Sequence, residues 1–287
     1  MDIFVVLLLA QTLNSGVLSN GAALGSSSWV GGTIVVEGDS IPANTGELSN
    51  TVTADRYGDQ LVSALLGSSG HSYAYFNVAR GGTCVGLTCS LLPSMLSVAA
   101  ANVDAHFNAT SGWKNVAILN GGYNDYYNSQ TVAQIKADIH TWLCTRKNVG
   151  FKVVVVTPTS GPNFNGVSPP GTSASQGQAD RQAIRDDLVT PRTCTDVNGA
   201  WAFNVPDAVA DLFSDTEVGC QTCYTIGTDG SNPSAHCQFL AGPHPTGPTG
   251  KAAQGGCGGI STDNGYQRFA STSPFSLKSA LSTIGIN

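Results

Sequence analysis

The chain alternates short apolar runs with longer stretches of helical periodicity, and that alternation predicts a layered α/β protein. Thr33-Ile34-Val35-Val36 is an unbroken run rich in β-branched residues, the signature of a strand buried on both faces. Tyr73 to Val78, Val116 to Leu119 (within Trp113 to Asn120) and Phe151 to Thr157 read as three more strands. Pro206 to Phe213 supplies a short fifth. Between them, Asp55 precedes Tyr57, Leu61, Leu65 and Leu66 at amphipathic spacing. Leu91 to Phe107, mostly Ala, Val, Leu and Met, reads as helix, and so does Ala179 to Val189. Val132, Ile135, Ile139, Trp142 and Leu143 fall on one helical face, the clearest amphipathic pattern in the chain. The spacing predicts a parallel sheet covered on both faces. With no internal repeat and no linker, residues 29–287 are expected to form one domain.

Three strands run into small polar clusters: Gly38-Asp39-Ser40, Gly81-Gly82 and Gly122-Tyr123-Asn124-Asp125. Parallel strands present their carboxyl ends on one edge, where open α/β sheets bind ligands, so these clusters are expected to converge. Their chemistry matches the needs of acyl transfer: a hydroxyl nucleophile, a base, and donors aimed at a developing oxyanion. Ser40 supplies the hydroxyl, a glycine N–H is an unobstructed donor, and an asparagine amide is a second. His244, between Pro243 and Pro245, is the expected base, because imidazole titrates near working pH and the prolines fix its backbone. His236 is the competitor. His140 shares a helix face with Lys136 and reads as solvated, His71 sits in a Gly-Ser turn, and His106 lies near a helix end.

Gly38-Asp39-Ser40, Gly82, Gly122-Tyr123-Asn124-Asp125 and His244-Pro245 resemble, in order, the four blocks of the SGNH (GDSL) hydrolase family. The resemblance runs over nearly the whole chain from residue 30. It implies a three-layer α/β/α, flavodoxin-like fold with a five-stranded parallel sheet, and ester hydrolysis through an acyl-enzyme without a metal or cofactor. Carried over by position, Ser40 is nucleophile and backbone donor, Gly82 a backbone donor, Asn124 a side-chain donor and His244 the base. Gly81 is the alternative to Gly82. The sequence departs from the family at the acid, normally three residues before the histidine, where it has Ala241. Two readings stay open: a Ser40–His244 dyad, or Asp229 brought back to His244 by an insertion and a disulfide through Cys237.

Composition narrows the partners. Charged residues make up 11% of the 287, the net charge is −6, and glycine is abundant at 34. That balance argues against nucleic acid and anionic membrane surfaces and fits a neutral substrate, which the resemblance implies is an ester: a short-chain acyl ester, an acetylated carbohydrate or a lipid. A secreted monomer is expected. Eight cysteines favour an oxidised framework, with Cys84 and Cys89 close enough for a local loop. A zinc knuckle from Cys220, Cys223, Cys237 and Cys257 is the rival. Residues 1–23 resemble a secretory leader, although Asp2 replaces a basic start. Its apolar run is too short to span a bilayer. Asn108-Ala109-Thr110 is a glycosylation sequon. The reading from another class is a fold-mate that binds glycan without turnover, using Tyr123, Tyr126 and Tyr127.

Overall fold

Gly31–Gly38 (β1) is buried along its whole length, as an apolar strand in the middle of a parallel sheet must be. Tyr73–Asn77 (β2), Trp113–Asn120 (β3), Lys152–Val156 (β4) and, after a separate antiparallel hairpin of Arg192–Thr195 (β5) and Ala202–Val205 (β6), Ala208–Ala210 (β7) complete the main sheet. Its order is β2-β1-β3-β4-β7, and every pairing is parallel. The computed structural model describes residues 31–43, 61, 73–159, 173–196, 198–199, 202–216, 218–219, 239–241, 244–245 and 265–286, of which 239–241, 244–245 and 265 are described by backbone alone. The expected leader, Asp55 with the helix after it (Leu61 apart), His71, Asp229, His236 and the last four cysteines lie outside these residues.

Side-chain alternation divides the sheet into two faces. Val35, Ala117, Leu119, Val153 and Val155 pack with Met95–Asn102 (α1), Val132–Val149 (α3) and Ala174–Leu188 (α4). Ile34, Val36, Val116, Ile118, Val154 and Val156 pack instead with Leu61, Tyr266, Phe269 and Leu277–Thr283 (α5). The result is the expected three-layer α/β/α arrangement. In α3 four of the five predicted stripe residues are buried, Ile135, Ile139, Trp142 and Leu143 each at most 2% exposed, while Val132 in the first turn is half-buried. Thr131 caps its start by accepting from the Gln134 N–H at 3.2 Å. Truncating Trp142 to alanine costs about 3–5 kcal/mol by analogy with other buried aromatics.

The helix expected over 91–107 is shorter. It begins at Met95, where Ser94 accepts from the Ser97 N–H, and ends at Asn102, before a single 3-10 turn at Asp104–His106. Apolar content suggested the longer span, but Pro93 and the Ser94 cap set its start. The α4 helix begins at Ala174, earlier than its apolar pattern indicates, with Ser173 as cap. The β5–β6 hairpin was not expected at all. Disulfides join Cys84 to Cys89, as expected, and Cys144 of α3 to Cys194 of β5. His140 departs from its expected solvated place: it is half-buried, with Nε2 3.5 Å from the Cys144 sulfur and 3.6 Å from that of Cys194.

Candidate active site

The first three polar clusters meet at the carboxyl edge of the sheet, knitted by hydrogen bonds between turns far apart in sequence. The Gly38 carbonyl accepts from the Arg80 N–H at 3.0 Å and from Thr83 Oγ1 at 3.1 Å, which fastens the turn after β2 to the end of β1. On the other side, the Asp39 N–H donates to the Asn120 carbonyl at 3.3 Å. Gly38 has no room for a side chain, since a Cβ there would collide with the Asn120 carbonyl and the Pro42 ring. Ser40 follows, partly exposed, in a turn closed by the Ile41 N–H donating to Asp39 Oδ1 at 3.0 Å. Gly81 and Gly82 form the turn after β2, and Gly82 takes a φ of +83°, the left-handed region that favours glycine.

The turn after β3 holds the turn after β2 from below. Tyr123–Tyr127 (α2) begins there, and Asn124 Nδ2 donates to the Thr83 carbonyl at 2.9 Å. An amide carries two N–H donors, so this bond fixes the group while leaving one hydrogen to point elsewhere. The next residue, Asp125, is fully buried and accepts from the Val85 N–H at 2.8 Å and the Gly86 N–H at 3.1 Å. The Cys84–Cys89 disulfide closes the same loop. Ser40, Gly82 and Asn124 are thus carried by turns bonded directly to one another.

Its neighbours among solved structures include SGNH hydrolases. AlinE4, an SGNH-hydrolase family esterase, is 16% identical with a TM-score of 0.41, covering 55% of this chain and 69% of its own. TesA is 19% identical with a TM-score of 0.44, and the lipase/acylhydrolase from Enterococcus faecalis 17% with 0.47; each match covers 77% of this chain and 91% of the other. No protein-family model matches the chain, and no curated protein matches it. The likeness concerns the α/β fold with its five-stranded parallel sheet flanked by helices.

His244 lies on a two-stranded antiparallel hairpin, Phe239–Ala241 (β8) with His244–Pro245 (β9). Its cross-strand partner is Ala241, the position that lacks the acid. The ladder shifts register between Phe239 and Ala241, and the pairing at 241 sets that backbone position across from the histidine's. The imidazole itself, and Asp229, lie outside the described residues.

Burial raises the pKa of three carboxyls near the rim, Asp125 among them, and drives Asp39 and Glu37 furthest towards the neutral form. Burial, reinforced by the charge of Asp125 and partly offset by the Ile41 N–H, pushes Asp39 up to about 7. Burial likewise pushes Glu37 up to about 7, against a 2.6 Å hydrogen bond from Trp142 Nε1 and the charge of Arg146. A cavity of about 160 Å³ opens beside the β1–β2 end, with Gly38, Arg80 and Thr83 at the rim, Val78, Met95 and Val98 as apolar walls, and Glu37 among its lining. Of the three tyrosines, Tyr126 is buried and donates to Asp180 Oδ2 at 2.6 Å, which makes it a packing residue; Tyr127 is 53% exposed.

Thr83 and Asp125 organise the rim, and neither was assigned a role from the sequence. Asp125 stands beside Asn124 in a recognised cluster, so its position was visible. That its carboxylate clamps Val85 and Gly86 depends on long-range geometry.

Proposed function

We propose that the protein is a serine esterase acting on neutral carboxylic esters. Ser40 Oγ attacks the ester carbonyl while His244 accepts its proton. The tetrahedral oxyanion is met by the Ser40 and Gly82 N–H groups and the second hydrogen of the Asn124 amide. Collapse expels the alcohol, to which His244 returns the proton, leaving an acyl-Ser40 ester. A water activated by His244 then releases the acid and restores Ser40.

The observation that carries this reading is the anchored amide. Asn124 is tied to the Thr83 carbonyl at 2.9 Å, and Thr83 is tied in turn to Gly38, two residues before Ser40. A donor already held in place needs no reorganisation as charge develops, the condition under which oxyanion stabilisation is strongest. The cavity beside Gly38 and Thr83, worth about five waters of volume, suits a short acyl group. A surface with net charge −6 suits a neutral substrate. No helix among the described residues is long and apolar enough to cross a membrane, and two disulfides fit the oxidising environment of a secreted protein.

The test is hydrolysis of a short-chain aryl ester by the full chain. Ser40→Ala is expected to lower kcat by a factor of order 10⁴–10⁶ with the fold intact. A variant that keeps full activity rejects Ser40 as nucleophile. Ala241 and the exposed Tyr127 favour a second reading, glycan binding without turnover. Covalent labelling of Ser40 by a fluorophosphonate separates the two: labelling excludes a binding-only protein.

A further inference from the structure

On the face of α3 turned towards the β5–β6 hairpin, away from the rim, three metal-ligating side chains come together. His140 and Cys144 are four residues apart on α3 and so share one helix face, and Cys194 of β5 completes the group. Their ligand atoms all lie within 4.8 Å of one another. The imidazole Nε2 is nearly equidistant from the two sulfurs, at 3.5 and 3.6 Å.

Those separations match a tetrahedral zinc centre. With Zn–S of about 2.3 Å and Zn–N of about 2.0–2.1 Å, a tetrahedral ion holds its sulfur and nitrogen ligands about 3.5 Å apart. The histidine is therefore already placed, and only the two sulfurs, joined in the disulfide, must part to about 3.8 Å. We propose that, once the Cys144–Cys194 disulfide is reduced, Cys144 Sγ, Cys194 Sγ and His140 Nε2 bind Zn²⁺, with water as the fourth ligand. Two thiolates and an imidazole are a borderline-soft set suited to that ion. Cys144 and His140 are only half-buried, which leaves a path for ion and water, whereas Cys194 is buried.

The steps balance with a small dithiol as reductant. It delivers two electrons and two protons to the S–S bond and leaves as its own disulfide. Zn²⁺ then displaces the two thiol protons, so binding releases two protons to solvent. The disulfide and the metal are alternative staples between α3 and β5, one for oxidising and one for reducing conditions.

Cobalt(II) is the probe, because thiolate-to-cobalt absorption reports sulfur ligation directly. The full chain is reduced with dithiothreitol, freed of it anaerobically and titrated with Co²⁺, and the same is done with Cys144→Ser/Cys194→Ser and with His140→Gln. The wild-type chain is expected to bind one equivalent more than the double variant, whatever the other six cysteines bind. That equivalent should weaken at least tenfold in His140→Gln, and added Zn²⁺ should bleach its bands. Far-UV circular dichroism is read throughout. Equal stoichiometry in wild type and double variant overturns the proposal, as does a His140→Gln chain with unchanged affinity. So does a reduced wild-type chain that unfolds without taking up the ion.

Discussion

The rim of the sheet and the hairpin that carries His244 are built on different principles. The turns after β1, β2 and β3 hang from adjacent strands of one parallel sheet and are cross-bonded through Thr83, Asn124 and Asp125. The hairpin belongs to no part of that sheet, and its described ladder consists of two pairings, Phe239 with Pro245 and Ala241 with His244. The proposed oxyanion donors are thus placed by the main sheet itself. The proposed base comes from a separate segment, whose own pairing sets its neighbours. Rate in such a site should depend steeply on the rim and be tunable at the hairpin.

The most direct way to break this contrast is Asn124→Ala. Losing one oxyanion donor is expected to cost about 3 kcal/mol of transition-state stabilisation, read as a fall in kcat with little change in KM. A loss of a few tenths would remove Asn124 from that role. Asp125→Asn comes next. The amide keeps one acceptor but turns an N–H towards a backbone donor, and loss of a charge-assisted bond is expected to lower stability by about 2 kcal/mol in urea unfolding, with a parallel drop in kcat. Unchanged kcat in a destabilised variant would mean that the clamp supports the fold and not the site.

Asp39 tests the electrostatics of the rim. Its folded pKa of about 7 lies above the ordinary 3.8, so the folded chain holds a proton that the unfolded chain releases. The stability it contributes is fully present below 3.8 and is lost as pH rises through about 7. Glu37, also at about 7, adds to the same window. Asp39→Asn keeps the acceptor for the Ile41 N–H and is expected to remove roughly half of the fall in stability between about pH 4 and 7, an effect of order 3 kcal/mol. Urea midpoints that track wild type across that range would rule out this titration.

The hairpin is probed by Ala241→Asp, which puts a carboxylate across from His244 in a register that already exists. An increase in kcat of about tenfold, or 1.4 kcal/mol, is the expected signature of a histidine lacking its acid. No increase would mean that another group, Asp229 being the candidate, already serves.

What could be read from the sequence follows from how local each signal was. The strands β1, β3 and β4 announce themselves because a parallel strand buried on both faces has no polar alternation to hide it. The α3 stripe was equally plain. By contrast, β5 and β6 pair Arg-Thr-Cys-Thr with Ala-Phe-Asn-Val, short and largely exposed stretches whose partnership no periodicity reveals. Ser40, Gly82 and Asn124 could be named because each follows a recognisable strand. Thr83 and His140 could not be understood that way: one accepts the Asn124 amide on its own carbonyl and donates its hydroxyl to the Gly38 carbonyl, the other faces a cysteine brought in from residue 194.

Residues 265–286 cover the far face of the sheet, and Tyr266 reaches to the residue after the nucleophile candidate, its hydroxyl donating to the Ile41 carbonyl at 3.3 Å. In order of synthesis that cover arrives after every strand of the sheet. A growing chain on the ribosome therefore carries Ser40 long before Tyr266 is there to bond the Ile41 carbonyl, and the core around Ile34, Val36 and Ile118 closes only when the last described helix emerges and docks.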